Sequence, residues 1–242
     1  MLIIQARMGS TRLPGKSLMD LAGAPLVGRM LERVKRCSAP DEIVLATTDT
    51  VGDDRLAALA SQYGVGLFRG SKEDLVDRYF QAARAFQADI VLRLPGDNPT
   101  PEPSEIDRCI AAHGDNDAHF TSNITHFFGN GYPDGIGIEA FDLGVLADVW
   151  ERERDPSRRE HVALNFVDYS QDRAIQPERY RVATFACPAA FRRPDLKLDV
   201  NFQDEYAYFK ELYEALYPAN PAFGICDIIR WHDARTAANP RQ

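Results

Sequence analysis

Short apolar runs alternate with segments of helical periodicity along the first hundred residues. Runs at residues 2–5, 42–46, 65–68 and 89–93 have the length and composition of buried strands. Between them, apolar side chains recur at a spacing of three and four residues, which places them on one face of a helix. These stripes comprise Val27, Met30, Leu31 and Val34; Leu56, Leu59 and Tyr63; and Leu75, Tyr79, Ala82 and Phe86. The alternation predicts a three-layer α/β/α fold with a doubly wound, mostly parallel sheet.

The pattern changes after Pro95. A helix is predicted at 102–113, and the segment 122–137, rich in Gly, Asn and Pro, does not continue the strand–helix alternation. Helices at 141–154 and 157–168, strands at 180–185 and 196–200, and a final packed helix follow. The stripe of that last helix is Tyr206, Phe209, Tyr213 and Leu216. We therefore expect a single domain over residues 1–242, with a small β-rich insertion at about 122–140 for substrate binding or dimerisation.

Charge and composition narrow the range of functions. The chain has 36 acidic and 28 basic residues, a net charge of −8, which argues against binding to nucleic acid. No apolar run approaches the roughly 20 residues that cross a bilayer, so we expect a cytoplasmic protein without a membrane partner. The four cysteines form no CxxC motif and the histidines lack metal-ligand spacing, which disfavours a zinc site or a disulfide framework.

The loop after the first predicted strand concentrates positive charge and glycine. It reads Ala6-Arg7-Met8-Gly9-Ser10-Thr11-Arg12-Leu13-Pro14-Gly15-Lys16. Loops at the carboxyl ends of parallel strands are where open α/β sheets bind ligands. Glycine allows close approach of the backbone, and Arg and Lys supply charge to phosphates, so Arg12 and Lys16 are the candidate phosphate-binding side chains.

This loop has two other interpretations. A solvated loop broken by Gly and Pro would need no ligand. A P-loop is suggested by Gly15-Lys16-Ser17, but the motif GxxxxGK[ST] requires glycine where this chain has Ser10. Pro14 also removes a backbone N–H from the place where a P-loop cradles phosphate, which disfavours a P-loop NTPase.

The segment Ile3-Ile4-Gln5 with the loop that follows it resembles the opening of the cytidylyltransferases that activate acidic sugars. That family includes the acylneuraminate and 3-deoxy-manno-octulosonate cytidylyltransferases, and the chain is most similar to the spore-coat polysaccharide branch. The resemblance continues through Phe68-Arg69-Gly70-Ser71, Val76-Asp77-Arg78-Tyr79, Gly96-Asp97-Asn98-Pro99, Tyr132-Pro133-Asp134-Gly135, Arg159-Glu160-His161-Val162 and residues 196–206. It implies a fold like that of nucleotide-diphospho-sugar transferases, CTP as a substrate and a homodimer.

The resemblance also implies roles for residues that bind the nucleotide. Arg12 and Lys16 would neutralise the triphosphate and count as catalytic. The nucleoside would lie near the loop, with Arg69 and Ser71 as further contacts, although Arg69 could equally be a surface cation before a glycine turn. The implied nucleotide-binding set is Ala6, Arg7, Met8, Gly9, Arg12, Lys16, Arg69 and Ser71.

Two aspartates are the candidate magnesium ligands. Asp97 follows the fourth predicted strand and corresponds by resemblance to the family's metal-binding aspartate; the alternative is an Asx turn before Pro99. Relatives usually carry aspartate at the position of Asn201, so Asp199, two residues earlier, would supply the second carboxylate. Asn201 could instead cap the helix that follows, and its presence puts metal binding in question.

The acceptor site is predicted in the glycine-rich stretch 129–139. Tyr132, Asp134 and Glu139 could orient sugar hydroxyls, or this segment could form a hairpin or a dimer arm. The segment 159–162 offers a cation for a sugar carboxylate, but the start of a helix explains the segment equally well, and His161 is not counted as catalytic.

These predictions lead to one function and two alternatives. The favoured function is Mg²⁺-dependent transfer of CMP from CTP to an acidic sugar, with release of pyrophosphate, for surface glycan synthesis. One alternative is a nucleotidyltransferase that uses another nucleotide, or a sugar or polyol phosphate as acceptor. The other is a catalytically weak family member that binds nucleotide, which Asn201 suggests.

Overall fold

The computed structural model describes residues 1–124 and 127–238. Within them, a main sheet is built from β1 (Leu2–Gln5), β2 (Ile43–Thr48), β3 (Gly66–Gly70), β4 (Ile90–Pro95), β5 (Phe120–Ser122), β6 (Glu139–Asp142) and β7 (Val182–Ala183). The strand order is β7-β5-β6-β4-β1-β2-β3. Strand β6 runs antiparallel to β4 and β5, whereas the other neighbouring strands pair in parallel. The predicted mostly parallel sheet is confirmed.

Helices connect and follow the strands. They are α1 (Leu26–Val34), α2 (Asp54–Tyr63), α3 (Leu75–Ala85), α4 (Pro103–Asp115), α5 (Leu143–Arg152), α6 (Pro156–Glu160), α7 (Gln203–Leu216) and α8 (Ile225–Ala238). Two short antiparallel ribbons pair Asp20–Leu21 with Ala24–Pro25 and Val167–Asp168 with Arg173–Ala174. Single 3-10 turns occur at Lys16–Leu18, Val51–Asp53, Phe127–Gly129, Val162–Asn165 and Ala189–Phe191.

Alternating side chains of β1 divide the core between the two faces of the sheet. Leu2 and Ile4 are fully buried against α1, α2, α4, α7 and α8. Ile3 points to the other face and is buried with α3 and α5. Burial of each such side chain contributes about 1.5–3 kcal/mol to folding. The predicted three layers are therefore confirmed, because apolar faces of helices cover both sides of the sheet.

Several predicted elements in the second half differ from the structure. Phe141 belongs to β6, where it is fully buried and stacks on Phe120, so helix α5 begins only at Leu143. The helix predicted at 157–168 is the short α6 followed by a 3-10 turn, because the backbone leaves the helical region at His161. Helix α8 was not predicted, since its apolar stripe is weaker than that of the other helices.

The insertion lacks the predicted β-rich character. Residues 123–124 and 127–138 contain no strand and one isolated β-bridge, from Asp134 to Lys197; residues 125–126 lie outside the described residues. The strand predicted at 196–200 is likewise reduced to this bridge. Two backbone hydrogen bonds tie the segments together: Asp134 N to Leu196 O (2.9 Å) and Leu198 N to Asp134 O (2.8 Å). A third, Val200 N to Asp97 O (2.8 Å), ties residues 196–200 to the turn after β4.

None of the helices in the described ranges combines the length and apolar character that a bilayer crossing requires.

Gly135 permits this close contact between the insertion and the segment 196–200. Its φ is +84°, and a Cβ atom there would lie 2.1 Å from the carbonyl carbon of Leu198. We predict that Gly135→Ala lowers the free energy of unfolding by about 2–4 kcal/mol, since both backbone strain and a clash result. Urea unfolding measures the change.

Gly23→Ala is the matched control for this substitution. Gly23 also has a positive φ, +90°, but a Cβ there meets no atom within 4 Å. In the control, the free energy of unfolding should therefore fall only by the cost of placing alanine in a left-handed backbone conformation, about 1–2 kcal/mol. Equal decreases in the free energy of unfolding of the two variants would contradict the close approach of Gly135 to Leu198.

Candidate active site

A cavity of about 440 Å³ opens at the carboxyl ends of β1 and β4. The backbone can close in behind it because Gly96 follows β4: a Cβ atom at Gly96 would lie 2.2 Å from the carbonyl oxygen of Gln5. The structure brings most of the predicted site residues to its wall. Those that line the cavity are Ala6, Arg7, Gly9, Arg12, Lys16, Asp97, Asp134, Glu139 and Asp199.

Asp53, which sequence reasoning missed, anchors the loop 6–16. Its carboxylate accepts hydrogen bonds from Met8 N (2.8 Å), Thr48 N (3.2 Å) and the hydroxyls of Thr47 and Thr48. Burial alone raises the pKa of Asp53, but the hydrogen bonds from Thr48, Met8 and Thr47 outweigh it, so that the pKa is lowered. The loop is thus held to the end of β2 by an ionised carboxylate. The sequence does carry one signal that could have pointed to Asp53: Thr47 and Thr48, two polar residues at the end of an apolar strand.

The loop also closes on itself. Gly15 N donates to Met8 O (3.2 Å), Lys16 N donates to Leu13 O (3.2 Å), and Leu13 is buried. Gly15 has a φ of +75°, a conformation that glycine adopts without strain. The turn directs the next side chain, Lys16, into the cavity.

Lys16 meets Asp97 at the centre of the site. The ammonium Nζ lies 3.0 Å from Asp97 Oδ2 and 2.6 Å from the carbonyl oxygen of Val200. The Lys16 side chain is 11% exposed and that of Asp97 is 29% exposed, so water weakens this pair less than it would weaken a surface pair. The two residues predicted for phosphate and metal are therefore in direct contact.

Asp199 and Asn201 line the same cavity, and each has a buried side-chain oxygen without a hydrogen-bond partner within residues 1–124 and 127–238. The Asn201 side-chain amide donates to Asp199 Oδ2. Among the described residues, Asp199 Oδ1 and Asn201 Oδ1 are buried without a hydrogen-bond partner; the ammonium of Lys197 is 3.6 Å from the former. Burial, Asp134 and other nearby carboxylates raise the pKa of Asp199. A cation bound to either oxygen would satisfy it and offset the repulsion between carboxylates.

This donor set fits Mg²⁺. Within the described residues, no three Asp, Glu, His or Cys side chains form a ready metal site. Mg²⁺ usually takes only one or two protein carboxylates and completes its shell with phosphate and water. Asp97, Asp199 and the amide oxygen of Asn201 match that requirement. Asn201 is not the N-cap of α7, which is Phe202.

Four arginines line the cavity: Arg93 pairs with Glu139, and the other three have different environments. Arg12 is exposed, with its guanidinium 5.5 Å from the ring centre of Phe202. Arg7 pairs with Glu160 (3.1 Å). Arg78, which was not predicted as a site residue, is buried and donates to the carbonyl oxygens of Ser71 and Lys72. Its pKa is lowered by burial. Arg12 is the cation whose side chain reaches farthest into solvent.

The wall on the β4–β6 side is charged but internally paired. Glu139 is buried and accepts from Arg93 at 2.6 Å, across neighbouring strands. His161, left out of the predicted site, also lines the cavity, as does Asp134. Asp134 and His161 offer hydrogen-bonding groups on this side of the cavity, and the ion pair of Arg93 with Glu139 is neutral overall. Such a wall suits a polar ligand.

Four of the predicted site residues lie away from the cavity. Tyr132 is fully buried and its hydroxyl donates to Glu105, so the prediction that it orients a sugar hydroxyl is wrong for this conformation. Arg69 pairs with Asp54 (2.7 Å) and donates to the carbonyl oxygens of Thr48 and Thr50. The Ser71 hydroxyl accepts from Asp74 N (3.0 Å).

The fourth is Met8, which packs against the core and serves the loop through its backbone. Arg159 likewise does not offer a free cation for a sugar carboxylate, because its guanidinium pairs with Asp74 at 2.6 Å. These side chains are occupied by structural contacts, which short motifs in a sequence cannot distinguish from contacts to a ligand.

We predict that Asp53→Asn lowers the free energy of unfolding by about 1–3 kcal/mol at pH 7, because a carboxylate holding several donors is lost. Since folding lowers the pKa of Asp53, its stabilisation is complete above the ordinary value of 3.8 and is lost as the pH falls through the lower folded value. The difference in free energy of unfolding between wild type and Asp53→Asn, measured by urea unfolding, should therefore shrink below about pH 4.

Asp54→Asn is the control. Asp54 is a half-exposed neighbour, so this substitution should change the free energy of unfolding by at most about 1 kcal/mol. If wild type and Asp53→Asn differed in the free energy of unfolding by the same amount at all pH values, the ionised Asp53 carboxylate would not be the anchor of the loop.

Comparison with known proteins identifies the family. The sequence model of the cytidylyltransferase family matches residues 1–186. The chain is 34% identical over 217 residues to the spore coat polysaccharide biosynthesis protein SpsF of Bacillus subtilis, covering 88% of this chain and 85% of that protein. It is 39% identical over 118 residues to the 3-deoxy-manno-octulosonate cytidylyltransferase of Geobacter sulfurreducens, covering 48% and 46% of the two chains.

Solved structures show the same fold. A cytidylyltransferase from Leptospira borgpetersenii superposes with a TM-score of 0.86 at 29% identity, covering 100% of this chain and 96% of that one. A CMP:2-keto-3-deoxy-manno-octonic acid synthetase complexed with CTP superposes with a TM-score of 0.64 at 19% identity, covering 88% of this chain and 97% of that one. At this identity the similarity is one of fold alone. The chain therefore belongs to the cytidylyltransferase family and is a nucleotidyltransferase.

Proposed function

We propose that this enzyme transfers CMP from CTP to a hydroxyl of an acidic sugar, with release of pyrophosphate and dependence on Mg²⁺, in the synthesis of a surface polysaccharide. The observation that carries the proposal is the meeting of Lys16, Asp97 and the two unsatisfied oxygens of Asp199 and Asn201 at one edge of the sheet. Cations and metal-ligating oxygens side by side suit a triphosphate with its metal.

Attack on the α-phosphorus requires orientation and neutralisation of charge more than covalent help. Lys16, at the centre of the site, and Arg12, which is exposed at the cavity wall, can both bind the phosphates. Gly9 lines the cavity without a side chain and lets the nucleotide approach the backbone. The ion pair of Arg7 with Glu160 closes one side of the loop.

Asp97, Asp199 and the Asn201 amide oxygen would hold Mg²⁺. When bound, the metal neutralises charge on the α-phosphate and on the leaving pyrophosphate. The protein's own contribution is the position of these oxygens, since the Asn201 amide fixes the Asp199 carboxylate and Val200 N fixes the backbone of Asp97. The asparagine at 201 is thus compatible with metal binding.

The acceptor is assigned to the side of the cavity formed by Asp134, Glu139 and His161. The names of the relatives support the substrate class: one concerns a spore coat polysaccharide, and others are cytidylyltransferases for an octulosonate, an acidic sugar. The cytoplasmic location and the homodimer stay predictions.

Ligand binding distinguishes the candidate nucleotides. We predict that CTP with Mg²⁺ raises the midpoint of thermal unfolding, whereas UTP, GTP and ATP give smaller shifts, because a ligand that binds the folded state stabilises it by mass action. The second step measures pyrophosphate release with eight- and nine-carbon keto sugar acids, beside a sugar phosphate and a polyol phosphate as alternative acceptors.

Each other outcome points to one of the alternatives. A shift with another nucleotide alone would contradict transfer of CMP, and pyrophosphate release only with a phosphorylated acceptor would contradict the acidic sugar. If no nucleotide shifts the midpoint, and Asn201→Asp restores a shift with CTP, the natural enzyme is a weak family member.

A further inference from the structure

The ammonium of Lys16 occupies a position that suits a metal cation. Its Nζ atom contacts two oxygens, Asp97 Oδ2 at 3.0 Å and Val200 O at 2.6 Å. The side chain is nearly buried, so the contact is a defined one and not a loose surface pair. Anionic and carbonyl oxygens of this kind are also the preferred ligands of Mg²⁺.

The two buried oxygens without a hydrogen-bond partner in the described ranges belong to the residues before and after Val200 in the sequence. Val200 stands between Asp199 and Asn201, whose buried Oδ1 atoms have no hydrogen-bond partner among the described residues. Lys16, Asp97, Asp199 and Asn201 line the same cavity, and Val200 adjoins it. An ammonium and a divalent cation held by Asp97 at the same time would repel each other strongly at such distances.

Lys16 has the means to leave this position. Its four-carbon stem is flexible, and a triphosphate offers the ammonium more negative charge than the Asp97 carboxylate does. Arg12 differs from Lys16 in this respect: it lies over Phe202, and in the described part of the chain it forms no ion pair. A bound nucleotide would therefore redirect Lys16 but would not have to separate Arg12 from a carboxylate.

We propose that Lys16 is a resident cation that fills the metal position at Asp97 in the nucleotide-free protein and yields it to Mg²⁺ when a triphosphate draws the ammonium away. This exchange rests on the proposed function, because it needs a triphosphate and a metal at one site. It makes nucleotide and metal binding mutually dependent, since each ligand favours the arrangement of Lys16 that the other requires. Empty enzyme binds metal weakly, and metal enters with the nucleotide.

A lysine that only binds phosphate leads to a different expectation. Its removal would weaken nucleotide binding but leave the metal affinity of the nucleotide-free protein unchanged. A resident cation competes with metal, so its removal should strengthen metal binding in the absence of nucleotide. The two roles therefore differ in the sign of one measurable quantity.

The experiment titrates nucleotide-free protein with Mn²⁺ alone and follows free Mn²⁺ by electron paramagnetic resonance. We expect Lys16→Met to bind Mn²⁺ about tenfold more tightly than wild type, or better, because close charge pairs are strongly coupled. Arg12→Met is the matched control: it removes one positive charge from the same loop, away from Asp97, and should change the affinity by less than about twofold. Adding Asp97→Asn to Lys16→Met should abolish the gain.

Equal Mn²⁺ affinities of wild type and Lys16→Met would overturn the exchange, and so would an equal gain in Arg12→Met or a gain that survives Asp97→Asn. The midpoint of thermal unfolding verifies that each variant is folded. If Lys16→Met does not fold, Lys16→Gln serves the same test, because it removes the charge and keeps an N–H donor for Val200 O. The panel of nucleotides tests the proposed function separately, so failure of one does not imply failure of the other.

Discussion

The backbone hydrogen bond from Val200 N to Asp97 O, 2.8 Å long, is the contact on which the site depends. It joins the turn after β4 to a segment a hundred residues later, and thereby places Asp199 and Asn201 beside Asp97. The bonds of Leu198 and Leu196 to Asp134 extend the same contact into the insertion. Without this ladder, Asp97 and Asp199 would not be held in one cavity.

Electrostatics explains why these groups are arranged around cations. The chain carries a net charge of −8, yet the first loop contains three basic residues in eleven. Burial, Asp134, Glu205 and Asp97 together raise the pKa of Asp199, against the opposing effect of Lys197. Carboxylates gathered in this way cost free energy unless a cation is present, so the site is organised for a positively charged occupant. In the empty enzyme Lys16 lies beside Asp97 and Lys197 beside Asp199; the proposed function adds Mg²⁺ and the phosphates that come with it.

Local patterns predicted the first half of the fold well, because β1 to β4 and α1 to α3 follow clear periodicities and the ligand-binding edge follows from parallel pairing. The same reasoning could not place residues 196–200, whose alternation looks like a strand but whose partner is an irregular insertion. It assigned Tyr132 to the substrate because a buried tyrosine bonded to a distant glutamate leaves no local signal. Asp53 was missed because the loop amide that it binds, Met8 N, lies 45 residues away, and Arg78 was missed because its role depends on how the chain turns after β3. His161 was considered and left out of the catalytic set, and it lines the cavity.

The central claim is that Asp97 and Asp199, brought together by the backbone ladder, hold the metal that accompanies the nucleotide. Anomalous scattering from Mn²⁺ in crystals grown with CTP tests it most directly, since the signal locates the metal without reference to activity. The account predicts a metal bonded to both carboxylates and to phosphate oxygens. A metal held by the phosphates alone, with Lys16 still on Asp97 and neither carboxylate in contact, would contradict it.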